Sequence, residues 1–224
     1  MNEFIKLKLN YSFKNKKLLK EAFTHPSYSM ENKLTYSNQR LEFLGDAVIE
    51  LIVSKFLMNN LPKEQEGKLT KLRAVLVKKE SLALIAKELN LNKFLKLSKG
   101  EIKADGGNQP SALCDLFEAI AGAMFLDSDY DTTEKNILPL FIRFFPKPEE
   151  LLIETNPKGE LQEITIKELN AIPVYNVINS SGPSHSPVFT VQVQVNDKVL
   201  ATAEGNSKKV AEKNAAIIAL KEMK

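Results

Sequence analysis

The chain has one cysteine, Cys114, in 224 residues. A lone thiol cannot close an internal disulfide, so disulfide-stapled secreted folds are excluded and a reducing, cytoplasmic setting is expected. No run of about 18 apolar residues occurs, so no membrane-spanning helix is expected. The opening MNEFIKLKLN has no apolar core before a cleavage site, and no secretory signal is read there. Excess charge is also missing: 31 basic and 28 acidic side chains leave +3. That balance does not argue for a polyanionic partner, so any such binding must come from local clusters.

What is present is an ordinary core-forming composition, 43% hydrophobic and 26% charged. Its length allows one or two domains. In the first 145 or so residues, KNKKLLKEAF, LEFLGDAVIELIVSKFL, LTKLRAVLVKKESLALIAKEL, ALCDLFEAIAGAMFL and EKNILPLFIRFF have helical periodicity, and no strand pair is evident. Residues 98–110 read as a glycine-containing loop. FPKPEELLIETNPKGE, with Pro146, Pro148 and Pro157, reads as a boundary and movable tether. After it the period changes. GELQEITIKELN is helical, YNVIN is a short strand, and FTVQVQVN alternates Phe189, Val191, Val193 and Val195 with polar residues. Asn196-Asp197 is a turn, VLATAEG a third strand, and SKKVAEKNAAIIALKEM a closing helix with Ser207 as its N-cap. The expected architecture is an all-helical domain over 1–146, a linker over 147–155 and an α-β-β-β-α domain over 156–224.

With that division, His25 and His185 fall in different domains. A pair of imidazoles acting as acid and base within one domain is therefore excluded. His25 precedes Pro26 and reads as a hydrogen-bonding residue at a helix end.

Carboxylates are the remaining chemistry. Glu42, Asp46 and Glu50 recur four apart in RLEFLGDAVIEL and share a helix face. A solvated stripe is the plain alternative. Gly45 argues against it, because a mid-helix glycine costs about 1 kcal/mol relative to alanine and something must offset that. In ALCDLFEAIAGAMFL, Asp115 and Glu118 lie three apart on a helix that is apolar nearly all round. Buried carboxylates are costly unless paired or bound to a cation. An ion pair with Arg40 or Arg73 is one solution. If the two helices pack together, four carboxylates converge, and an oxygen-only donor set suits magnesium or manganese.

QRLEFLGDA closely resembles the signature of the ribonuclease III family, the double-strand-specific RNA endonucleases. FTHPSY at 23–28, LRAVLVKKESLA at 72–83 and DLFEAIAGAMFLD at 115–127 extend the resemblance over essentially the whole chain. It implies that Glu42, Asp46, Asp115 and Glu118 hold Mg²⁺, with Mn²⁺ able to substitute. Asp46 would support the hydrolytic water and Glu118 would bridge metal. Glu66 matches an accessory acidic position. Gln39 departs from the pattern, since the family often has Glu there and an amide cannot be an anionic ligand. The resemblance further implies a homodimer, hydrolysis that leaves 5'-phosphate and 3'-hydroxyl ends, processing of ribosomal RNA precursors and messengers, and a cytoplasmic location. No organic cofactor is expected. Gly45 could serve close approach within the monomer or across the dimer.

Residues 156–224 resemble a double-stranded RNA-binding domain, though eight lysines against seven acids leave it only +1. Lysine placement matters more than bulk charge. Lys208 and Lys209 in the first turn of the closing helix oppose its dipole, and Lys213, four after Lys209, shares its face, an arrangement that favours a docked phosphate. The resemblance implies that Gly182, Pro183 and His185 of GPSHSP enter a minor groove and that Gln162 and Glu163 make a second groove contact. Two rivals remain at this level: a non-catalytic duplex-RNA binder with structural acids, and a metal-dependent hydrolase of another phosphate ester.

Overall fold

The computed structural model describes residues 1–183 and 185–223. The chain divides into two compact units, Met1–Pro148 and Glu149 onward.

The first unit is helical: α1 (Asn2–Leu9), α2 (Lys16–Ala22), α3 (Pro26–Glu31), α4 (Gln39–Asn60), α5 (Glu66–Val77), α6 (Lys79–Glu88), α7 (Lys99–Lys103), α8 (Pro110–Asp127) and α9 (Tyr130–Phe144). Its centre is α8, apolar nearly all round, with Leu116, Phe117, Ala119, Ile120, Ala121, Ala123 and Met124 inaccessible to solvent. Such a helix needs neighbours on every side, and α4, α6, α2 and α9 provide them.

The longest contact, α4 on α8, is a backbone crossing. A Cβ on Gly45 would overlap the Glu118 carbonyl oxygen and lie 2.5 Å from its carbon and 2.9 Å from Gly122 N. A Cβ on Gly122 would overlap the Leu41 carbonyl in return. The Gly45 close approach is thus made within the monomer, and dense packing of α4 on α8 offsets its poor helix propensity.

Three details differ from the periodicity reading. The single helical run over 69–89 is broken at Lys78, which is extended (φ −61°, ψ 153°). There α5 turns from packing on α4 to α6 packing on α8, and the buried Ser81 hydroxyl donates to Val75 O at 2.7 Å. The 98–110 loop contains α7, capped by Ser98, and a 3₁₀ turn at Gly106–Asn108. A parallel bridge joins Thr24 to Lys96. At the far end of α8, the Asp127 carboxylate accepts from Tyr11 Oη (2.7 Å), Lys14 N (2.8 Å) and Asn15 N (2.7 Å), clasping the N-terminal segment.

The second unit runs α10 (Pro148–Thr155), α11 (Pro157–Leu169), β1 (Val174–Ser181), β2 (Val188–Val195), β3 (Lys198–Gly205) and α12 (Lys208–Glu222). The proline-rich stretch is therefore helical over α10, and Ile153 packs against the second core. The sheet is antiparallel in the order β1-β2-β3. Alternation buries Val191, Val193 and Val195, and Val193 joins Leu161 of α11 and Ala215, Ala216 and Ala219 of α12 in one core cluster. Asn196 and Asp197 both have positive φ (48° and 61°), as a two-residue type I′ hairpin turn requires. The cap read from sequence is present, with Val210 N donating to Ser207 Oγ at 3.2 Å.

Candidate active site and nucleic-acid surface

The α4–α8 crossing sets the carboxylates. Glu42 and Asp46 lie on either side of Gly45 in sequence, and Asp115 and Glu118 lie one turn apart on α8. Gly45 lets α4 touch the backbone of Glu118 itself, and Glu42 and Asp46 are near enough for their charges to act on the Glu118 carboxyl. Exposure falls with depth: Asp46 is exposed, Glu42 and Asp115 half-buried, and Glu118 buried at 9%.

The electrostatics follow. Burial pushes the Glu118 carboxyl up to about 7; the Cys114 hydrogen bond pulls against this, and the charges of Asp46, Asp115 and Glu42 add to it. Glu42 is raised by burial and then by Asp115 and Asp46. Asp115 is raised by burial, while His25 and Lys79 draw it down. The charges of Asp46 and Asp115 therefore act on both Glu42 and Glu118, and that repulsion is what a divalent cation would relieve. Among the described residues no arginine neutralises Asp115 or Glu118. Arg73 donates instead to Ser54 Oγ at 3.2 Å, and Arg40 is exposed. The donor atoms of Cys114, Asp115 and Glu118 all lie within 4.8 Å of one another. Two carboxylates within that distance, a buried Glu118 without a cationic partner among the described residues and an exposed Asp46 whose charge acts on it fit a hard divalent ion.

Not every sequence candidate joins this cluster. Glu66 is exposed at the start of α5, where it accepts from Thr70 Oγ1 at 2.7 Å. It borders an open cavity of about 420 Å³ between α4 and α5, lined also by Ser54, Met58 and Arg73. Gln39 is exposed and its Oε1 accepts from Ser37 Oγ at 3.3 Å. Glu50 is exposed. Sequence reasoning missed three neighbours. Cys114 donates to Glu118 Oε1 at 3.4 Å, with burial first and Glu118 next raising its thiol above the usual range. His25 caps α3 by accepting from Ser27 N at 3.2 Å, yet its charge also acts on Asp115, as does that of Lys79. The i, i+4 spacing of Cys114 and Glu118 was the available signal for the first. The other two depend on tertiary contacts.

In the second unit Gln162 and Glu163 are exposed on α11. Gly182 (φ 87°), Pro183 and His185 are exposed in the β1–β2 loop, where Ser186 N donates to Pro183 O at 2.9 Å; Ser184 of that loop lies outside the described residues. Lys208, Lys209 and Lys213 are exposed on the first turns of α12.

Comparison with known proteins agrees with this layout. Residues 15–143 match the Ribonuclease-III-like family, and residues 157–223 match the Double-stranded RNA binding motif. Ribonuclease 3 of Sulfurovum sp. is 41% identical over 226 residues, covering 100% of both chains. Ribonuclease 3 of Carboxydothermus hydrogenoformans is 44% identical over 96% of this chain and 93% of its own. Among solved structures, the nuclease domain of Ribonuclease III from Campylobacter jejuni, described for flexibility in a region involved in dimer formation, is 41% identical with a TM-score of 0.62. It matches over its whole length and 66% of this chain.

Proposed function

Since the chain belongs to the ribonuclease III family and is a ribonuclease III-type endoribonuclease with a double-stranded RNA-binding domain, we propose that it hydrolyses duplex RNA with magnesium at the α4–α8 carboxylates. The observation that carries this reading is that the charges of Asp46, Asp115 and Glu42 all act on the buried Glu118, whose carboxyl burial has raised to about 7. These four would hold the ion, with Mn²⁺ an accepted substitute. Bound there, it would supply Lewis-acid stabilisation of the phosphoryl charge and a water of lowered pKa.

The protein's own part is orientation and proton handling. Asp46, the most exposed of the four, orients the attacking water on the open side. Glu118, held from behind by Cys114, fixes the deep side. The water oxygen bonds to phosphorus as it gives up a proton to solvent, the bond from phosphorus to O3' breaks, and O3' takes a proton from a second water. The ends are then 5'-phosphate and 3'-hydroxyl. Glu66, on the cavity between α4 and α5, is an accessory group for engaging substrate.

In domain terms, residues 1–146 form the catalytic domain, 147–155 the connection and 156–224 the RNA-binding domain. Gln162, Glu163, Gly182, Pro183 and His185 read groove shape, while Lys208, Lys209 and Lys213 hold phosphates at the N-terminus of α12. One cluster cuts one strand, so two coordinated cuts call for two copies. The exposed apolar face of α4 suits that interface. Phe43, Leu51 and Met58 are 81%, 55% and 65% exposed, on one side of the helix. A cytoplasmic setting and a role in processing ribosomal RNA precursors and messengers complete the reading.

The test is cleavage of a labelled RNA duplex and its single strand with magnesium, with chelator, and with Glu118→Gln. Duplex-only, magnesium-dependent cutting that is lost in the variant while binding persists is expected. Tight duplex binding with no cutting under any divalent metal would make the chain a binder and turn attention to Gln39.

A further inference from the structure

Cys114 is one helical turn before Glu118 and immediately before Asp115. Side chains four apart lie on the same helix face, so a thiol here must border whatever uses Glu118. The structure shows the contact: Sγ is 3.4 Å from Glu118 Oε1, and one donor atom each from Cys114, Asp115 and Glu118 falls within 4.8 Å of the others. Donor atoms on one tetrahedral zinc ion are about 3.6 Å apart, from bond lengths of ~2.3 Å to sulfur and ~2.1 Å to oxygen. The widest of these separations exceeds that spacing by at most about 1.2 Å. Independently, Glu118 is a carboxylate with only 9% exposure, and the Cys114 thiol is its sole hydrogen-bond donor among the described residues. A buried carboxylate without a cationic partner calls for a cation.

We infer that Cys114 determines metal specificity, converting an oxygen-only site into a mixed sulfur–oxygen site where thiophilic divalent ions, cadmium and zinc, compete with magnesium. The inference rests on the reading of the carboxylates as a divalent-ion site. Magnesium takes oxygen ligands and leaves the thiol protonated. A thiophilic ion adds a metal–sulfur bond, and the thiol proton passes to the buffer. Cys114, Asp115 and Glu118 then form one chelate on a single face of α8. Thiophilic ions would displace magnesium from Glu118 by gaining a bond that magnesium does not make.

The chain's single cysteine gives a clean readout, because any sulfur-to-cadmium charge-transfer band must report Cys114. Cadmium chloride is added to the full chain, to Cys114→Ser, to Cys114→Ala and to Asp115→Asn, with circular dichroism to confirm folding. Ultraviolet absorption and calorimetry then follow binding, and magnesium chloride is measured in parallel. The expected result is a band saturating at one cadmium per wild-type chain and absent in both cysteine variants. Cadmium affinity should fall about tenfold or more in these variants, the scale of a lost metal contact, while magnesium affinity changes little. Asp115→Asn should weaken both metals. Wild-type protein that binds cadmium without a band, or Cys114→Ser that binds it equally well, overturns the inference. A band that survives unchanged in Asp115→Asn overturns it too, since the thiol would then bind outside the cluster. The carboxylate reading fails separately, if Asp115→Asn leaves magnesium affinity untouched.

Discussion

Replacing Gly45 by alanine tests the crossing on which the site depends. On an isolated helix the change would help by about 1 kcal/mol. Here the new Cβ overlaps the Glu118 carbonyl and lies 2.5 Å from its carbon, where an ordinary contact is about 3.5–4 Å. The obstacle is backbone, so no rotamer relieves it, and α4 must retreat by about 1 Å. Overpacking costs about 1–3 kcal/mol. Because the strain falls on backbone, the upper end applies, leaving a net loss of about 2 kcal/mol. In a unit of this size that is roughly 4–8 °C in Tm. The same shift carries Glu42 and Asp46 away from Asp115 and Glu118, and an error of about 1 Å can cost a hundredfold in rate. The assay is thermal unfolding beside duplex cleavage, with Gly67→Ala as control because a Cβ there meets nothing within 4 Å. Gly45→Ala that melts and cuts like wild type, or gains stability as Gly67→Ala is free to do, would refute the reasoning.

Other outcomes follow from the same geometry. In chelator, the raised Glu118 carboxyl keeps its proton in the folded state over about pH 4.5–7 while the unfolded chain loses it. Folding stability should therefore fall as pH rises through that window, by about 1–2 kcal/mol after allowing for solvent screening, and Glu118→Gln should flatten the dependence. Replacing Lys208, Lys209 and Lys213 together by alanine should weaken duplex binding and lower the slope of log affinity against log salt by about one per lost phosphate contact; filter binding at several salt concentrations reads it, and an unchanged slope removes these lysines from the interface. Ser207→Ala should cost the second unit about 1 kcal/mol in urea unfolding through loss of the Val210 N–H acceptor, and no change would mean that water caps α12 as well.

The fold was legible where one physical signal dominated. Alternation in FTVQVQVN gave β2 because burial follows the pleat, and Asn196-Asp197 gave the hairpin because few residues accept two successive positive φ values. The α5–α6 break was not legible, since both helices are amphipathic and only their different partners turn the chain at Lys78. Nor was α10, where Pro148 and Pro157 outweighed the helical PEELLIET between them. At the site, helical spacing gave each pair of carboxylates, and Gly45 signalled a close approach without naming what approached. His25 and Lys79 act on Asp115 from segments distant in sequence, so no local pattern holds them.

The clasp at Asp127 bears on how the nascent chain folds. It joins residues separated by 112 to 116 positions, and the crossing at Gly45 depends on Gly122. Loop closure on this scale precedes any reward from the contacts it brings. A chain emerging from its N-terminus has α4 long before it has α8. Until α8 has been added, Glu42 and Asp46 lack the Glu118 and Gly122 backbone on which their helix packs. Asp115 and Glu118 lie on α8, so a chain that stops short of that helix lacks half of the four carboxylates.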